Sequence, residues 1–119
     1  MAHHMDSHLD TEMQECVDEC LSCYVTCEAT IAHCLTLGGK HAKAEHIKVL
    51  TDCAKICLTS ADFMVRQSDV HGQICGICAE LCRRCAEDCE RVDPTDKIMR
   101  ECAEQCRRCA ESCETMAAA

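Results

Sequence analysis

The chain has 119 residues, of which sixteen are cysteine, one is tyrosine, one is phenylalanine and none is tryptophan. That length supports one domain, and its interior has to be built largely from thiols, which behave as small hydrophobes when buried. A formal net charge of −9 leaves no basic surplus to neutralise phosphates, so nucleic acid is excluded as an expected partner.

Residues 1–10, MAHHMDSHLD, contain no apolar core segment and carry Asp6 and Asp10. They read as a disordered N-terminal segment, part of it resembling an expression tag, and not as a secretory signal. No run approaches the length of a membrane span, so the expectation is a cytoplasmic protein without membrane contact. In a reducing compartment, this density of thiols points to metal binding in preference to disulfides.

From residue 11 to 119 a single domain of four helices is expected, at about 11–37, 42–67, 71–92 and 96–116. The first carries CVDECLSCYVTCE at 16–28 and stops at Gly38-Gly39, as a helix ending on glycine should. The second retains only Cys53 and Cys57 and ends before Ser68-Asp69, which offer caps for the third. Pro94, within Asp93-Pro94-Thr95-Asp96, stops the third, and Thr95 or Asp96 is placed to cap the fourth. No alternating β-branched stretch competes with helix anywhere. Glu80–Arg84, Glu87–Arg91 and Glu104–Arg108 are i,i+4 pairs in the favourable order and mark solvated faces. Short turns between helices of this length predict an all-α, antiparallel up-down-up-down four-helix bundle.

The frame C-x3-C-x2-C-x3-C occurs at 16–28 and again, almost identically, as CAELCRRCAEDCE at 78–90 and CAEQCRRCAESCE at 102–114. Steps of 3 and 4 average about 3.5 residues, the period of a bundle seam, so the repeated cysteines face the core. Pairing residues equidistant from each turn stacks them in layers. The middle layers are Cys27, Cys53, Cys85, Cys106 and Cys23, Cys57, Cys82, Cys109, followed by Cys20, Ser60, Cys78, Cys113. One end continues as Cys16, Met64, Cys75 and Met116, with Met13 and His71 one turn further out. The other has Leu50, Cys89 and Cys102, then Cys34, His46, Val92 and Met99. All sixteen cysteines thus line one tube. His33 and His41 are expected on the surface.

Sixteen seam thiols exceed what packing alone requires, and i,i+4 side chains run parallel, unsuited to the geometry of disulfides. Soft sulfur ligands select Cu(I), zinc or iron–sulfur clusters. Zinc favours closed tetrahedra, which the two middle layers supply, but it leaves the other cysteines and the methionines unused. Iron–sulfur sites gather cysteines from loops, whereas these lie on helices. Cu(I) takes two or three sulfurs, accepts bridging thiolates and uses thioethers, so multiple Cu(I) ions per chain suit the array best. A zinc or mixed-metal detoxifying protein and an iron–sulfur electron-transfer protein remain as alternatives. Nothing in the sequence has the pattern of a catalytic constellation, so no enzyme activity is expected.

The repeated frame, CRRCAE twice over and four cysteine-bearing helices resemble the bacterial copper storage proteins, a family of cysteine-rich four-helix bundles, over residues 11–116. The resemblance implies cytosolic storage of many Cu(I) ions held between cysteine pairs, and a homotetramer. Two departures stand out: Ser60 and Met64 sit where cysteine would extend the array, and the first helix lacks a seam cysteine between Cys27 and Cys34. Met13, Met64, His71 and Met116, as neutral donors at one end, are the expected way in for metal. His46 and Met99, at the other end, are the weaker candidates for metal contact.

Overall fold

The computed structural model describes residues 9–118, and every secondary-structure element among them is helical. Helix α1 spans Thr11–Leu37, followed by a 3-10 turn over Gly39–Ala42; α2 is Ala44–Val65, α3 His71–Val92 and α4 Lys97–Ala118. Residues 1–8, most of the segment expected to be disordered, lie outside the described residues. Leu9 is buried and Asp10 caps α1 by accepting the Met13 N–H at 2.8 Å, so the folded unit begins before residue 11.

Local chemistry sets the other ends. Gly38 and Gly39 take φ of 72° and 56°, and the Gly38 N–H closes α1 on the Cys34 carbonyl at 3.0 Å. Asp96, not Thr95, caps α4, accepting the Met99 N–H at 2.9 Å. Thr95 is instead held by Asp93 Oδ1, which accepts its N–H and its hydroxyl. Helix α2 stops at Val65, short of the expected 67, because the reversal into α3 places Gln67 at φ 54°. The Ser68 hydroxyl accepts the Val70 N–H there without capping α3 itself.

The helices form a ring in which α1 and α3 each pack against α2 and α4. Cys20 meets Cys113 and Cys27 meets Cys102, so α1 and α4 run in opposite directions. Cys53 meets Cys82 and Ser60 meets Cys75, which does the same for α2 and α3. The bundle is therefore up-down-up-down, with the α1–α2 and α3–α4 turns at one end and the α2–α3 connection at the other. Ala79 and Ala86 on α3 and Ala103 and Ala110 on α4, each following a cysteine of the repeat, are buried between these helices. Small residues there let the two backbones approach and bring their sulfurs within reach of one another.

Two expectations change. Helix Thr11–Leu37 is long and apolar enough to cross a membrane by composition, contrary to the reading that no run approaches that length. Its five cysteines supply much of that hydropathy, and all are buried in the bundle. Of the surface pairs, Glu80–Arg84 forms. Arg91 turns to Asp88, and Arg108 donates to Gln105 at 3.1 Å.

Candidate metal centre

All sixteen cysteines are fully buried and none is in a disulfide. The sulfurs of Cys16, Cys20, Cys23, Cys27, Cys53, Cys57, Cys78, Cys82, Cys102, Cys106, Cys109 and Cys113 form a connected chain of contacts between 3.5 and 4.0 Å. It runs from Cys16 to Cys113 and Cys20, on through Cys109, Cys57, Cys82 and Cys53, then by Cys106 and Cys27 to Cys102. Cys78 joins through Cys57, and Cys23 through Cys53 and Cys106. The contacts run between the expected layers more often than within them. Flat tetrads are therefore replaced by a stagger, because facing helices interdigitate instead of meeting at equal height.

The consequence shows in the groups of four sulfurs that lie within 4.8 Å of one another. Cys23, Cys27, Cys53 and Cys106 form one, and Cys27, Cys85, Cys102 and Cys106 another. Cys23, Cys53, Cys57 and Cys82 overlap the first, then Cys57, Cys78, Cys82 and Cys109, then Cys20, Cys78, Cys109 and Cys113. Each shares members with a neighbour, so filling one as an isolated tetrahedron takes ligands from the next. Bridging thiolates remove that conflict.

The two ends differ. At the end holding the α2–α3 connection, Met64 and Met116 are buried, while Met13 and His71 are half-exposed. His71 Nδ1 lies 2.8 Å from the Ser68 carbonyl, and a cavity of about 270 Å³ opens between Asp69, His71, Gly72 and Met116. Ser60, fully buried, places its hydroxyl 3.4 Å from Cys75. At the other end Cys34, His46 and Met99 are buried. Cys34 Sγ lies 3.4 Å from both His46 Nε2 and Met99 Sδ. The gap in α1 between Cys27 and Cys34 is filled by buried Thr30, whose hydroxyl donates to the Thr26 carbonyl of its own helix.

Three histidine–aspartate pairs tie the two hairpins together at that second end: His33–Asp96 at 2.9 Å, His41–Asp93 at 2.8 Å and His46–Asp88 at 2.5 Å. His33 and His41, expected on the surface, are half-buried and paired with aspartates. Sequence reasoning missed Asp88 entirely, since its partner lies on another helix and no local spacing marks it.

Sixteen thiolates without a cation would repel prohibitively in such a core, so the metal-free array is held mostly as neutral thiols. The neighbouring Cys102 and burial push Cys27, Cys85 and Cys106 well above the usual thiol range. Cys23 and Cys102 are pulled the other way, first by Cys106 and then by their other thiol neighbours. Soft ligands, full burial and shared sulfur make this a protein that sequesters metal ions inside a helical bundle.

The profile of the copper storage protein family matches residues 9–118, and the chain belongs to that family. No curated protein matches the sequence. Among solved structures, a Nitrosospira multiformis protein is 44% identical with a TM-score of 0.85, covering 92% of this chain and 98% of its own. The Cu(I)-bound copper storage protein of Bacillus subtilis is 29% identical with a TM-score of 0.83, over 90% and 99% of the two chains. A copper storage protein of Streptomyces lividans loaded with 10 copper equivalents is 28% identical with a TM-score of 0.79, over 94% and 89%.

Proposed function

We propose that this protein stores copper in the cytoplasm by taking many Cu(I) ions into its core through its cysteine thiolates. The observation that carries the reading is the unbroken set of sulfur contacts with overlapping groups of four. Zinc, which prefers closed tetrahedra, would leave part of that array without a complete shell. Cu(I) suits sulfur donors, and bridging lets one thiolate serve two ions. Each ion that binds displaces protons from thiols and is neutralised by the thiolates it creates, so loading releases acid.

Copper is admitted at the end formed by Met13, Met64, His71 and Met116, with Cys16 and Cys75 as the first thiolates. Thioether and imidazole are neutral donors that bind Cu(I) without losing a proton and pass it inward. The half-exposed Met13 and His71 and the cavity beside Met116 support this choice. So does the histidine–aspartate closure of the opposite end.

The working unit is a homo-oligomer, a tetramer in the family's manner, with α2 in the interface. Leu58 and Val65 line an apolar hollow with Leu21 and Ala61, and Leu58 is 42% exposed. On the other flank Val49, Ile56 and Phe63 are half-exposed, whereas Ala54 is buried in the core.

Anaerobic Cu(I) titration of the apo protein against a competing chelator, with metal analysis, tests the storage reading. More than about four ions per chain are expected, from the extent of soft-ligand array. Saturation at one or two ions would refute storage and indicate a small defined cluster.

A further inference from the structure

Cys34 is the cysteine flanked by imidazole and thioether donors. Among the described residues its sulfur contacts are His46 Nε2 and Met99 Sδ, each at 3.4 Å, and no other sulfur of the cysteine chain. Thr30 and Leu50, both buried, interrupt the sulfur on the α1 and α2 side between Cys34 and the main array. Three soft or borderline donors from α1, α2 and α4 therefore converge in a space closed to solvent.

His46 does not face Cys34 by accident of packing. Its Nδ1 lies 2.5 Å from Asp88 Oδ2, and Asp88 is also paired with Arg91. A carboxylate accepts only, so Nδ1 carries a proton, and in the neutral imidazole Nε2 presents its lone pair toward Cys34. Three lone-pair-bearing atoms, Nε2, Sγ and Sδ, then share the single proton of one thiol. A buried cluster with more acceptors than protons is poised for a cation.

We propose that Cys34, His46 and Met99 form a discrete mixed-donor site for one Cu(I) ion, with Asp88 as the positioning residue that fixes His46. The proposal rests on the Cu(I) storage reading and adds a site of a different kind to it. Charge supports the choice of ion. The bound Cu(I) replaces the Cys34 proton, its single charge is cancelled by one thiolate, and imidazole and thioether add none. A divalent ion would leave a net buried charge, which is costly. Geometry agrees. With metal–sulfur bonds of about 2.3 Å and metal–nitrogen bonds of about 2.0 Å, donors around a three-coordinate ion stand roughly 3.7–4.0 Å apart. The two separations from Cys34 Sγ, each 3.4 Å, need to open by about 0.3–0.6 Å. The site differs from the thiol array in releasing one proton for one ion, with no bridging sulfur.

The test uses full-length protein labelled with 15N and with 13C at the methionine methyls, titrated anaerobically with Cu(I) and followed by NMR. The His46 imidazole nitrogens and the Met99 methyl are expected to shift together over about one equivalent, with His33 as an unshifted control. Met99→Leu and His46→Leu are each expected to remove about one ion from the chelator-resistant total and leave the rest in place. Asp88→Asn is expected to change the His46 tautomer, seen in its 15N shifts, and to weaken that one ion by on the order of tenfold or more, with Asp88→Glu restoring part of the loss. Should the His46 and Met99 signals stay fixed while the remaining array fills, the site is refuted and storage stands. Should total uptake stop at one or two ions, storage fails, and the same two signals still report whether this site holds one of them. If a variant does not fold, the wild-type titration alone decides.

Discussion

The hydroxyl of Ser60 lies 3.4 Å from the sulfur of Cys75, and both side chains are completely buried. Ser60 occupies a seam position on the helix poorest in cysteine, and its oxygen is a hard donor in a soft surrounding. Ser60→Cys is expected to raise Cu(I) capacity by about one ion per chain. Replacing one oxygen by sulfur changes volume little, so stability of the apo protein should move by less than about 1.5 kcal/mol. Metal analysis after anaerobic loading, with chemical denaturation alongside, checks both. Unchanged capacity would show that the array's limit is set elsewhere.

Replacing Met13, Met64, His71 and Met116 together with leucine or glutamine is expected to slow Cu(I) uptake several-fold and leave the final content nearly the same. Stopped-flow transfer from a weak Cu(I) chelator measures it. The companion variant, His46 and Met99 replaced, should lose content without slowing uptake. If only the companion loads slowly, the two ends have been assigned the wrong way round.

Burial pushes the Cys34 thiol up to about 11, helped by Asp96 and Cys102, from the value of 9.0 that an unfolded cysteine has. Between those values the unfolded chain gives up a proton that the folded chain keeps. The stabilisation is therefore complete below about pH 9 and is lost as pH rises through about 11. Cys27, Cys85 and Cys106, also raised, act in the same direction, and Cys23 and Cys102, pulled down by Cys106, oppose them. Anaerobic thermal melts of the apo protein should fall steadily over that interval. The Cu(I)-loaded protein, its thiolates already neutralised by metal, should hold its Tm.

His33→Ala with His41→Ala removes two of the pairs joining the hairpins. Pairs with this much solvent contact contribute little each, so urea denaturation of the apo double variant should show a small fall in midpoint. Cu(I) capacity should be unaltered, since neither residue touches the sulfur array. Asp93 is held below the usual carboxylate range by Thr95 and then His41. Its contribution is accordingly present above that range and is lost as pH falls through it.

The helices and their inward cysteines were legible because the cysteine steps of 3 and 4 are themselves the seam period; no other feature of the chain had to be known. The Cys27–Cys106 and Cys57–Cys109 contacts follow from equal distance to the turns. Cys23 with Cys53, and Cys20 with Cys109, do not. Counting from turns fixes height to about a turn, whereas the stagger of interlocking helices is decided at a fraction of that. Asp88 was invisible for a different reason. Its role depends on which helix faces it, and an acidic residue within CAEDCE looks like any other on a solvated face. The membrane-length hydropathy of α1 was misjudged because thiols read as apolar whether they meet lipid or one another.

Both hairpin turns and all three histidine–aspartate pairs lie at the same end of a bundle 46 Å long. The two hairpins are thereby riveted at one end and joined at the other by a single connection, like the arms of a tweezer. Thermal opening of such a body is graded along its axis, small at the rivets and largest at the free tips. An alkylating reagent would then find Cys16 and Cys75 long before Cys34, although all three are equally hidden in the closed form. The order in which the thiols become reactive is a clock for that motion, readable by mass spectrometry one cysteine at a time.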